Sequence, residues 1–359
     1  MDRIAFIIGE SFIFWSPIIL ALAAFVAVCW FIGLHLSRSC NGIGTFMAVP
    51  LAFVFSMVLA RLIHWYCRTD SYSSFEAAMT DYTSGGYALL GVVVGCILAA
   101  CLLRLIRVVK ALPQMLDCMA IAGAAGICIG RCNSFFNSAD RGDILEGITT
   151  LPMVYPVTNS VTGAVEYRFA TFVLQSAVAG VIFVMLLLFW LLMKRKGKNG
   201  DTALMFALLY GASQAMFDST RYDSLYLRSN GFVSLVQIAG AVGVVLALVW
   251  FSVRLCKSRG WHWWYIAPWV SALALLGGAG YMEYHVQRHG DQAQFAYTVM
   301  SGCLIGVILV GIVVYTFAVT GENSKKKRAA LEQQMLEQAA QEETTEEKPE
   351  QAAETVAAE

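Results

Sequence analysis

The chain has 359 residues, of which 58% are apolar and only 14% charged, and its mean hydropathy is +0.63. A soluble domain carries roughly a quarter charged residues, so the composition excludes a water-soluble globule and points to a surface that mostly faces lipid. Basic and acidic residues number 25 each, and this balance gives no sign of nucleic acid as a partner.

A spanning helix needs about 20 apolar residues. That pattern predicts an all-α polytopic membrane protein with nine transmembrane helices, over 12–34, 44–63, 87–106, 115–130, 169–193, 203–217, 232–253, 264–281 and 296–319. The first apolar run is too long for the core of a signal peptide and has no basic segment before it, so it reads as the first span. The fourth and sixth spans are short and contain glycine, as do spans that end in irregular backbone lining a cavity.

The connections alternate in charge. Arg38 follows span one, Arg107 and Lys110 follow span three, and Lys194, Arg195, Lys196 and Lys198 follow span five. Arg254, Lys257 and Arg259 follow span seven, and Lys325 to Arg328 follow span nine. The other connections are acidic or mixed, with Asp70, Glu76, Asp81, Asp140, Asp143, Glu146, Asp218, Asp223, Glu283 and Asp291. Basic loops stay cytoplasmic, so the N-terminus is expected outside and the C-terminus in the cytoplasm. The long loop 131–168 is then external, and within it 154–157 and 161–167 read as a small hairpin. Beyond residue 321 the chain becomes a charged tail, expected to be disordered toward its acidic end.

The ten cysteines form no CxxC pair and no metal-ligand spacing, and most lie inside apolar runs as small hydrophobes. No metal site is expected. Asp117 stands at the start of the fourth span, where negative charge favours a helix N-terminus.

Ionisable groups gather at the outer ends of spans. Arg61, Arg131 and Arg221 close three different helices on the same side, with His64 beside the first of them. A guanidinium presents a planar fork suited to phosphate, so three of them converging would make a phospholipid headgroup site. A lone arginine there usually snorkels to the interface. Arg131, however, follows the small residues Ala122 to Gly126, which favour close helix packing and place it among helices. No charged residue falls in the middle of a span, which argues against a transporter.

From Gly130-Arg131 to Gly142 the sequence resembles the prolipoprotein diacylglyceryl transferases. Their signature reads Gly-Arg-x-Gly-Asn-Phe-x-Asn, followed by an acidic residue and a glycine. Gly130, Arg131, Phe135, Asn137 and Gly142 match it. Asn133 and Ser134 stand in for the Gly-Asn pair, and Ala139 for the glutamate, with Asp140 next to it. Ala60-Arg61-Leu62 resembles the end of the family's second helix. Tyr210-Gly211, Asp218 and Arg221 follow its Tyr-Gly-x-x-Arg-x-x-x-Glu-x-x-Arg. Leu90 occupies the place of the family's histidine, Gln214 that of the first arginine, and Phe169 to Gln175 that of its His-Pro-x-Gln-Leu-Tyr-Glu stretch.

The resemblance implies a seven-helix transferase domain over 1–255, two additional transmembrane helices over 256–320 and a cytoplasmic tail over 321–359. It implies a multi-pass protein of the bacterial plasma membrane that moves the diacylglyceryl group of phosphatidylglycerol to the lipobox cysteine of prolipoproteins, without a cofactor. Arg131, His64 and Asp218 would be catalytic. Arg131, Asn137, Arg61, Arg221 and Gln214 would bind substrate: Arg131 the phosphate, Asn137 the glycerol hydroxyls, Asp218 and Arg221 the headgroup or each other. Because Leu90 and Gln214 replace family residues, the alternative is a relative that binds phospholipid or lipoprotein without transfer.

Overall fold

The computed structural model describes residues 4–9, 11–38, 41–81, 85–136, 142, 144, 154–158, 162–193, 197–227, 230–288 and 293–356. Its helices are α1 (Trp15–Ser37), α2 (Gly42–Cys67), α3 (Phe75–Thr80), α4 (Leu89–Leu105), α5 (Leu112–Arg131), α6 (Thr171–Met193), α7 (Asp201–Ser219), α8 (Leu235–Arg259), α9 (Ile266–Arg288) and α10 (Ala293–Val356). All but the short α3 fall on the expected spans. Among the described residues seven helices are long and apolar enough to cross a membrane. Of the other two, α4 is apolar but shorter. α7 is less apolar because it buries Asp201, Gln214 and Asp218 within the bundle.

Three small hairpins cap the ends of helices. β1 (Ile4–Ile8) pairs with β2 (Ser11–Phe14), so the first helix starts at Trp15, later than expected. β3 (Val154–Thr158) pairs with β4 (Val165–Phe169), with Val154 opposite Phe169. The second strand lies further along than predicted, because the turn runs through Gly163, whose φ of 69° suits a residue without Cβ. β5 (Tyr226–Leu227) pairs with β6 (Asn230–Ser234). Ser234 then closes α8 with a reciprocal cap: its hydroxyl accepts from Gln237 N at 3.1 Å, and Gln237 Oε1 accepts from Ser234 N at 2.9 Å.

α5 sits at the centre and packs on α1, α6 and α7. α2 pairs with α4, and α7 with α8. Both pairings depend on close backbone approach. A Cβ added at Gly91 of α4 would lie 2.4 Å from the Ala60 backbone of α2. Gly211 of α7 and Gly240 of α8 face one another, and a Cβ on either would meet the other's carbonyl oxygen within 2.7 Å. Small residues of this kind let helices associate where lipid supplies no hydrophobic drive.

Asp117 does not sit at the start of its own helix, since α5 begins at Leu112. It reaches across to α7, accepting from Gly200 N at 2.7 Å and Ala203 N at 2.8 Å. At the same end Asp201 pairs with Arg254 and accepts from Tyr315 Oη at 3.0 Å. Glu322 of α10 binds Arg254 at 3.0 Å and Lys198 at 2.6 Å. α10 runs as helix to Val356. Ala, Glu, Gln and Lys, which dominate that stretch, are strong helix formers.

Asp117→Ala removes the acceptor for two main-chain donors at the start of α7. Stability should fall by about 1–3 kcal/mol, read as a lower midpoint of thermal unfolding in detergent. An unchanged midpoint would show that Asp117 does not hold that helix end.

Candidate functional site

The opposite end of the bundle gathers the polar residues. Arg131 is the last residue of α5 and is buried, and the single turn after it (Cys132–Phe135) buries Asn133 and Ser134. On α7, Tyr210, Gln214 and Asp218 recur every four residues and share one face. Gln214 and Asp218 are buried to 3% and 1% exposure. Arg131 from α5 and Arg221 from the turn after α7 both act electrostatically on Tyr210, as does Asp218. Two guanidinium groups from separate elements therefore lie near enough to one polar ladder for their charge to act on Tyr210.

Arg221 Nη1 lies 3.6 Å from Asp218 Oδ1, and Arg221 Nη2 lies 3.1 Å from Asp223 Oδ1. Gln175 Nε2 of α6 donates to Gln214 Oε1 at 3.4 Å. Both Asp218 carboxylate oxygens, Asn133 Oδ1 and Gln175 Oε1 are buried without a hydrogen-bond partner among the described residues. An unmade hydrogen bond at a buried polar atom costs about 1–3 kcal/mol. Cations that favour an anion thus stand beside acceptors that favour hydroxyl donors.

Main chain crosses this end at two described points, Gly142 and Ile144. Gly142 bridges Arg221, and Ile144 bridges Arg168. Arg168 binds Glu166 at 2.8 Å, donates to Gly142 O at 3.2 Å and lies 4.9 Å from the centre of the Tyr222 ring. Thr171 and Thr220 hydroxyls meet at 2.9 Å, joining the start of α6 to the end of α7. Asn137 lies outside the described residues.

His64 reaches the same neighbourhood from α2. Its Nδ1 shares a 2.7 Å hydrogen bond with the Tyr72 hydroxyl. Arg68, Arg61 and Asp223 act on it electrostatically. Arg68 Nη2 donates to Ser224 O at 3.4 Å, and the Ser224 hydroxyl donates to Asp218 O at 2.6 Å. Gly86, with φ of 82°, closes over the pair, since a Cβ there would fall 2.5 Å from the Tyr72 oxygen and 2.8 Å from His64 Cε1.

Arg61 has a different role from the one its position suggests. It is buried to 2%, and its guanidinium donates to the carbonyls of Ala78, Asp81, Gly85 and Gly86. Tyr72 and Tyr87 flank it, with ring centres 4.9 and 5.3 Å away. Its fork holds α3 and the Gly85–Gly86 turn against α2. The expected headgroup contact would have to compete with these four carbonyls, which brace the turn behind His64.

Of the residues singled out in the sequence, Asp218 and Arg221 are in contact, Gln214 lies one turn before Asp218 on the same face of α7, Arg131 acts on Tyr210 of that face, and His64 adjoins them through Asp223 and Arg68. Arg68 is not among them, and Asn133, Gln175 and Asp223 stand only in the family pattern or among the acidic connections, without a role. Arg68 follows His64 by four residues and so shares its helical face, which is a readable signal. Asn133 and Gln175 stand within the family-like stretches, and the packing of α6 on α5 and α7 brings them to this end.

Residues 3–253 match the prolipoprotein diacylglyceryl transferase family. The chain is 28% identical over 264 residues to the phosphatidylglycerol–prolipoprotein diacylglyceryl transferase of Finegoldia magna, covering 72% of this chain and 99% of that protein. It is 28% identical to the protein of the same name from Oceanobacillus iheyensis, covering 66% of this chain and 85% of the relative. The Clostridioides difficile protein of that name is 25% identical, over 71% of this chain and 97% of its own length. α9 and α10 lie beyond the matched region.

Arg61→Lys keeps the charge but replaces a five-donor plane with a compact ammonium. Losing several buried carbonyl contacts should lower stability by about 2–4 kcal/mol, seen as early unfolding in detergent. A variant as stable as the parent would free Arg61 for a ligand role.

Proposed function

The chain belongs to the prolipoprotein diacylglyceryl transferase family, and from that premise we propose that it transfers the diacylglyceryl group of phosphatidylglycerol to the lipobox cysteine thiol of prolipoproteins. The single observation that carries this reading is the Arg221–Asp218 contact, with both Asp218 oxygens buried, on the face of α7 whose Tyr210 feels the charge of Arg131 from α5. A phosphatidylglycerol headgroup has the matching chemistry: one phosphate anion next to a glycerol with two hydroxyl donors.

In this reading the reaction is a displacement at the glyceryl carbon. The cysteine sulfur forms the new S–C bond as the C–O bond to phosphate breaks, and glycerol phosphate leaves. Charge develops on the departing phosphate. Arg131 and Arg221 are already in place to stabilise it, so no reorganisation is needed at the moment of reaction. Asp218 holds Arg221 and accepts from the headgroup hydroxyls, with Asn137 as a further hydroxyl partner. His64, oriented by Tyr72, takes the thiol proton as general base. Gln214 replaces a cation of the family pattern by a neutral amide held by Gln175. Arg61 and Gly86 position His64.

The alternating charge of the connections supports an arrangement with this site at the outer face of a bacterial plasma membrane. The N-terminus is then outside, and nine spans bring the tail into the cytoplasm. Residues 1–255 form the transferase unit in this scheme, 256–320 add two spans, and 321–359 extend inward.

The test is direct. Purified protein given phosphatidylglycerol and a lipobox peptide should release glycerol phosphate and yield the lipidated peptide. Arg131→Ala should reduce kcat by about 100-fold or more. Headgroup binding without release by the parent protein would favour a binding role, and full turnover in Arg131→Ala would remove that residue from the site.

A further inference from the structure

The last turns of α8 and the start of α9 form a groove of about 510 Å³. Val249, Val253, Cys256 and Lys257 line it from α8, Trp261 from the turn and Trp269 from α9. Positions 249, 253 and 257 recur every four residues and so share one helical face. Gly260, with φ of 81°, ends α8 and turns the chain so that Trp261 lines the same groove. Cys256, Lys257, Trp261 and Trp269 all lie beyond the residues that match the family, so the groove comes with the added helix.

Both helices are long and apolar enough to cross a membrane, and Val249 and Val253 are exposed, so the groove opens toward acyl chains. The indole of Trp269 is already used inside it, since its Nε1 donates to Ser252 Oγ at 3.1 Å. The walls therefore offer van der Waals contact to an apolar chain. Charge is confined to one end. Arg254 is taken by Asp201 and Glu322, and Arg259 lies 5.5 Å from the centre of the Phe317 ring. Lys257 is exposed and has no carboxylate partner among the described residues. Trp261 and Trp263 are exposed beside it, as indoles are at the headgroup level of a bilayer. An apolar groove thus runs up to one uncompensated cation at headgroup depth.

We propose that this groove seats an acyl chain of an anionic glycerophospholipid whose headgroup is held by Lys257. One lysine near the bilayer surface favours a negative lipid over a zwitterionic one by about fivefold. The site is distinct from the Asp218–Arg221 pair, because Arg254 binds Asp201 at the opposite end of α7. The inference therefore stands whether or not the chain transfers a diacylglyceryl group.

Full-length protein in phosphatidylcholine vesicles is given a trace of phosphatidylglycerol or of phosphatidylcholine, each with a photoactivatable group on its acyl chain, and the labelled peptides are mapped. Within residues 249–269 the parent should be labelled about fivefold more by phosphatidylglycerol. Lys257→Glu should remove that preference and leave glycerol phosphate release at the parent level. Val253→Trp, which fills the groove, should cut labelling of this segment by either lipid and leave labelling elsewhere unchanged. Equal labelling of the segment by the two lipids in the parent would overturn the inference. So would a preference that survives Lys257→Glu, or undiminished labelling in Val253→Trp. Cross-links joining two copies through 249–269, in place of lipid labelling, would assign this face to a second copy of the chain and overturn it as well.

Discussion

Two carboxylates buried on one helix constrain the whole bundle. α7 carries Asp201 at one end and Asp218 at the other, both nearly inaccessible. Charges in a low-dielectric interior lose hydration worth several kcal/mol, and only close partners offset it. Each carboxylate therefore draws other elements to it. Asp201 brings in Arg254 from α8 and Tyr315 from α10, and Arg254 brings in Glu322. Asp218 brings in Arg221, which recruits Asp223 and, through its main chain, Gly142. The helix order around α7 follows from meeting these demands at both ends.

The two ends meet them differently. At the Asp201 end the charges alternate in a closed network, and the free N–H groups of α7 are capped by Asp117 from α5. At the Asp218 end acceptors are buried without donors, while two guanidiniums stand nearby. That imbalance is what separates a site from a brace. Under the proposed function, a phosphate diester bearing hydroxyls would supply both missing halves, anion to the arginines and donors to the carboxylate.

Three arginines that look alike on paper illustrate how context decides function. Arg61 lies in the last two turns of α2, Arg131 ends α5 and Arg221 follows α7. Arg61 turns its fork onto four main-chain carbonyls and becomes part of the scaffold. Arg131 and Arg221 keep theirs among side chains of α7 and the turn after it. The difference arises because α3 and the Gly85–Gly86 turn fold back over the end of α2, while the end of α5 opens onto α7.

The sequence alone determined the membrane character, the helix positions and the candidate arginines. Hydrophobic run length and the spacing of breakers are local properties, and a lipid environment enforces local backbone hydrogen bonding in each span. The β3–β4 hairpin was legible for the same reason, with its turn misplaced by a glycine. Only tertiary structure decided that Asp117 caps a neighbouring helix, that Arg61 is a brace, and that Gln175 and Asp223 join the site. These outcomes depend on which helix faces which. That is set by close backbone approach at Gly91 and at Gly211 with Gly240, and by the pairing of buried charges. Both are long-range relations between residues far apart in the chain, and no window of sequence contains them.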